Sequence, residues 1–129
     1  MNLGFLFKAN AVIATAYGLA FIIIPAHLLA AYGVTLTPGT AVVSRLFGAA
    51  LVGYGVLSWQ VRAVSSSEAL RAVILALLVG DVLGVVLSLQ AVFAGAVNAL
   101  GWPTAFIYGL FAAGYGYFAY GKAGPPARS

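Results

Sequence analysis

Leu70–Phe93, LRAVILALLVGDVLGVVLSLQAVF, is the stretch whose reading decides the fold. Its only charges are Arg71 near the start and Asp81 at the centre. A run of this length and apolarity is a candidate transmembrane helix, since a crossing takes about 20 predominantly apolar residues. A carboxylate in mid-membrane costs roughly 2.5–3.5 kcal/mol on insertion scales, so Asp81 requires a partner or a purpose.

The whole chain shares this character. Of its 129 residues, 64% are hydrophobic and 6% charged, where soluble domains carry roughly 25% charged residues. Water is therefore not the main solvent, and the length indicates one domain. The net charge of +4 comes from six Lys and Arg scattered over termini, a loop and span ends, with no patch for nucleic acid. Absence of cysteine removes disulfides, thiolate catalysis and Cys-based zinc sites, and leaves the redox compartment undecided.

Three further apolar runs flank the first. The expected spans are Leu3–Ile24, ended by Pro25; Thr40–Val61, preceded by the breaker stretch Thr35–Gly39; Glu68–Phe93; and Leu100–Gly121, with Pro103 in the first turn. Ser65 and Glu68 have capping-box spacing for the third start. Leu29-Ala30-Ala31 resembles a signal-peptide cleavage site, but the preceding apolar run is longer than an h-region. The expected fold is an all-α, integral-membrane four-helix bundle of antiparallel spans, a single domain over residues 1–121. Residues 122–129 are expected to form a disordered cytoplasmic tail.

Lys8, Arg62, Arg71, Lys122 and Arg128 all fall on the side of the two termini and the second loop. The first loop (Pro25–Gly39) and the third (Ala94–Gly101) carry neither Lys nor Arg. The positive-inside rule then places both termini in the cytoplasm.

Arg45 breaks this asymmetry and is the expected partner of Asp81. Measured from the second loop near Ser65, Arg45 and Asp81 lie roughly 30 and 24 Å up their helices, a gap of about 6 Å that an arginine side chain spans. The short loop makes the two helices expected antiparallel neighbours. The pair reads either as a clasp neutralising two costly charges or as a polar spot for a quinone, lipid headgroup or carboxylate. Asn10 is read as interhelical glue or as support for that pair. Phe111 and Tyr115, one turn apart, line an apolar pocket or simply pack in the core.

Small residues at i, i+4 spacing mark helix packing: Gly80 with Gly84, Ala49 with Gly53, and Ala105 with Gly109. They serve packing within the bundle or docking of another subunit. Trp59, Trp102, Tyr117 and Tyr120 fit interfacial belts. His27, the lone histidine, sits at a span edge, so no metal or cofactor is expected. Glu68 is expected to cap a helix, which leaves a single intramembrane acid and no equipment for enzymatic catalysis.

Ser44–Gly55 ending at Ser58-Trp59, Ala72–Gly84 with Asp81, and Asn98–Trp102 leading into Tyr108–Phe118 together resemble small four-helix bacterial membrane proteins of the DoxX-like type. The resemblance is a hydropathy pattern with a few anchors over nearly the whole chain. It implies a bacterial inner-membrane bundle and transfers no reaction or site residue. Two functions are expected from the residues. One is a non-enzymatic accessory subunit, embedded in membrane lipids and docked on other membrane subunits or on itself. The alternative is a binder or carrier of an apolar molecule (quinone, isoprenoid or lipid) at Arg45–Asp81.

Overall fold

The computed structural model describes residues 2–120. The expected tail, with Lys122 and Arg128 of the topology argument, lies outside them. Five helices follow in order: α1 (Leu3–Ile23), α2 (Pro25–Ala31), α3 (Pro38–Val61), α4 (Ser67–Phe93) and α5 (Gly101–Tyr120). No strand occurs among the described residues.

Local chemistry accounts for the boundaries. α1 starts under the Asn2 side chain, which accepts from the Phe5 N–H at 2.7 Å. Ile24 then leaves the helical region, and Pro25 opens α2 at its first position, where a missing N–H costs nothing. The expected first loop thus contains a short helix. Thr37 caps α3 two residues earlier than expected, exchanging bonds with Thr40 in a capping box. α4 is capped by Ser66 through the Ala69 N–H at 3.3 Å, not by Ser65. Three adjacent serines offer the same chemistry, and only the backbone path selects one.

α1, α3 and α4 are long and apolar enough to cross a membrane. Their exposed faces agree with that solvent. On α4, Val79, Val82, Leu83, Val86 and Leu87 form an outward stripe, each 46–58% exposed. A helix in water hides such a stripe against its core. α5 has 20 residues, enough for a crossing, but its tyrosines and glycines dilute its hydropathy.

The helices associate as two antiparallel pairs, α1 with α3 and α4 with α5. The expectation that α3 and α4 pack as neighbours is not met, for their backbones meet only sparsely. α3 is drawn to α1 instead by glycines in close contact. A methyl group on Gly48 would lie 2.5 Å from the Gly18 carbonyl oxygen, and one on Gly18 would lie 2.7 Å from that of Gly48. Gly55 presses on α1 in the same way at Ala11 and Thr15. The face marked by Ala49 and Gly53 is one residue off this contact. Both are exposed, with nothing within 4 Å of a Cβ on Gly53. In the other pair Gly84 lies under the Tyr108 ring, whereas Gly80 and Gly109 have only ordinary contacts and Ala105 is buried.

The dry core occupies one end of the molecule. Leu6 and Phe7 of α1, Val61 of α3, Ile74 and Leu77 of α4, and Tyr115 of α5 meet there. Toward the other end the two pairs separate, and the space between them is the candidate site.

Candidate functional site

A layer of polar side chains separates the core from the open end. The Asn10 amide, 4% exposed, donates to Ser58 Oγ and to Tyr115 Oη, each at 3.1 Å. One amide thereby joins α1, α3 and α5. Beside it Tyr54 Oη of α3 donates to Asp81 Oδ1 of α4 at 3.3 Å. This bond spans the gap that the two backbones leave.

Asp81 is 2% exposed, and its second oxygen, Oδ2, has no hydrogen-bond partner. Arg45 does not supply one. It is exposed, and its Nε donates to the Ile22 carbonyl of α1 at 3.5 Å. The height argument that paired the two ignored direction around the helix. Tyr54, the residue that does reach Asp81, lies nine positions from Arg45, about two and a half turns and so on the opposite face of α3. With α3 turned to put Gly48 and Gly55 on α1, Tyr54 faces α4 and Arg45 stays outside.

Above the polar layer lies a cavity of about 290 Å³, near the lower end of the ~300–1,000 Å³ typical of ligand sites. Asn10 and Asp81 line it at the inner end, with Ser88 and Thr104 toward the outer. Along α4, Asp81 to Ser88 is about 10 Å. The walls are apolar, with the rings of Tyr17, Phe21, Phe47, Tyr54, Tyr108 and Phe111 set among aliphatic side chains such as Ile13, Leu51 and Ile107. Phe111 is thus in the wall. Tyr115, fully buried, lies beneath it with the rings stacked at a centroid distance of 6.2 Å.

The outer end is closed by the two connecting segments, tied across the pairs. Tyr32 Oη and Thr104 Oγ1 share a hydrogen bond at 2.5 Å. The Asn98 side chain donates to the Ala31 carbonyl at 2.9 Å, and its backbone N–H to that of Tyr32 at 2.9 Å. The turn after α2 reaches this position through Gly33 at φ +76°, a conformation that suits glycine.

Asp81, Asn10 and Phe111 stand out as candidates in the sequence, whereas Tyr54, Tyr32, Tyr108 and Asn98 do not. A signal existed for two of them. Tyr54 and Tyr108 sit well inside their spans, away from the interfacial positions where tyrosine is common. His27 is exposed on α2, and no cluster of metal-ligating residues occurs among the described residues.

A family model described as Domain of unknown function (DUF8292) matches residues 1–120. No curated protein and no solved structure matches the chain.

Proposed function

The chain belongs to the DUF8292 family, and we propose that it is a non-enzymatic intramembrane binding protein for a small, largely apolar molecule. One observation carries this reading: an apolar cavity with aromatic and aliphatic walls ends on a buried carboxyl group with one oxygen unsatisfied among the described residues. A buried polar atom without a partner costs about 1–3 kcal/mol. Such a cost at the end of a cavity is the expected signature of a site whose partner arrives from outside. The polar end orients a ligand and the apolar walls hold it, the usual division of labour in small-molecule sites.

The membrane setting proposed for it is a four-helix bundle of the DoxX-like kind in a bacterial inner membrane, with α5 as the fourth crossing and both termini in the cytoplasm. Lys8, Arg62 and Arg71 support the orientation, since all sit at the core end of the helices. The cavity then lies on the outer-leaflet side, beneath the connecting segments that close it. A second reading, docking on another membrane subunit, is supported by Ala49 and Gly53, which leave a strip of small residues exposed on α3.

Organic extraction of the chain purified in mild detergent tests the first reading. A small molecule in stoichiometric amount is expected, and Ser88→Phe, which fills the cavity, should remove it. Equal retention by that variant, or an empty extract from the wild type, would refute the assignment. Purification of a defined hetero-complex would favour the docking reading.

A further inference from the structure

We propose that the ligand class is a lipophilic ammonium, a primary to tertiary amine carrying at least one N–H, held at Asp81. The inference rests on the binding-protein reading above and narrows it.

Three features point the same way. First, Asp81 Oδ2 has no hydrogen-bond partner among the described residues, and an amine serves it in either form of the carboxyl: an ammonium N–H donates to the carboxylate, and a neutral amine takes the acid's proton and then donates. A carbonyl-headed ligand pairs with the acid form alone. Second, no basic side chain among the described residues balances the charge. Arg45 is exposed and bonded to α1, Arg62 lies over the Trp59 ring at 4.0 Å, and Arg71 donates to the Ala119 carbonyl at the far end. Lys8 and His27 are exposed. An alcohol or phenol would satisfy the hydrogen bond alone, whereas an amine also compensates the charge of the ionised carboxyl. Third, about half of the apolar wall is rings. Tyr17, Tyr54, Tyr108, Phe21, Phe47 and Phe111 surround the space above the carboxylate, and aromatic faces attract a desolvated cation through their quadrupoles. Aliphatic walls would serve a neutral apolar ligand equally well without that attraction.

The dimensions bound the size. A length of about 10 Å between the Asp81 and Ser88 levels and a volume of about 290 Å³ fit one aromatic ring on a short alkyl stem, with the amine at the inner end. The proton balances either way: the amine arrives protonated and meets the carboxylate, or arrives neutral and takes the carboxyl proton, and in both cases the contact is an ion pair with an N–H···O bond.

The test uses the full chain in nanodiscs of phosphatidylcholine, whose zwitterionic headgroup carries no net charge for the amine to follow. Calorimetry compares 4-phenylbutylamine with 4-phenylbutan-1-ol, which differ only at the head group. The amine should bind one per chain and about tenfold tighter than the alcohol, the margin of a charge-assisted over a neutral hydrogen bond. In Asp81→Asn the two should bind alike, with the alcohol unchanged, which also reports that the cavity is intact. Equal binding of both to the wild type, blocked by Ser88→Phe, would overturn the ammonium inference and leave the binding-protein reading standing. Binding of neither would overturn both. An amine preference that survives Asp81→Asn would also overturn the inference, since the carboxylate would not be its source.

Discussion

Replacing Asp81 by leucine should stabilise the ligand-free protein. The carboxyl group is 2% exposed, with Oδ2 unpartnered and no ion pair among the described residues. Removing that orphan recovers about 1–3 kcal/mol, with a charged group at the upper end. Against it stands the loss of one hydrogen bond from Tyr54, long at 3.3 Å and worth about 0.5–1.5 kcal/mol. Tyr54 is only half-buried and lines the cavity, so its hydroxyl is not stranded. Leucine has the branched shape of aspartate and is larger, and the cavity that Asp81 lines takes up the difference, so neither a cavity nor an overpacking term enters. The balance is a gain of about 1–2 kcal/mol, within the range for replacing buried ionic groups by apolar ones. Titration of the purified protein from dodecyl maltoside into SDS micelles, followed by tryptophan fluorescence, measures it. A structural clasp makes the opposite prediction: removing one member of a buried ion pair costs about 3–5 kcal/mol. A loss of that size in Asp81→Leu would refute the reasoning, and with it the claim that this residue is maintained for binding at the expense of stability.

Arg45→Ala should shift the same titration by less than about 1 kcal/mol, because an exposed side chain with one long bond contributes little; a large loss would restore the pair with Asp81. Gly48→Ala should cost about 1–3 kcal/mol by overpacking against the Gly18 carbonyl, whereas Gly53→Ala, in open space, should gain up to about 1 kcal/mol from helix propensity. Equal effects of these two would mean that the α1–α3 face is misassigned. Asn98→Ala removes the bond to Ala31 and the one accepted from Leu100, about 1–3 kcal/mol in total. Stopped-flow release of a bound amine should therefore accelerate several-fold or more, and an unchanged rate would place the exit elsewhere. Asn10→Ala should destabilise the chain by about 2–4 kcal/mol in the SDS titration, since both Ser58 and Tyr115 lose their buried donor.

The sequence by itself determined the solvent and the elements. Apolar runs of crossing length, ended by Pro25, by the Thr37-Pro38 start and by the serines before Glu68, locate the long helices to within two or three residues, because helix boundaries are set by local backbone chemistry. It also isolated Asp81, because a lone carboxylate in such a run is anomalous in any fold. Tertiary structure alone decided which helix each one touches and how it is rotated. Loop length suggested α3 beside α4, but the mutual fit of Gly18 and Gly48 holds α3 on α1. That rotation sends Arg45 outward and brings Tyr54 to Asp81. Height along a helix follows from residue count, since the rise is fixed at about 1.5 Å. Azimuth is set by the packing of faces, and nearly uniform apolarity around these helices leaves no stripe in the sequence from which to read it. The cavity follows from the same cause, as space left where two tightly packed pairs diverge.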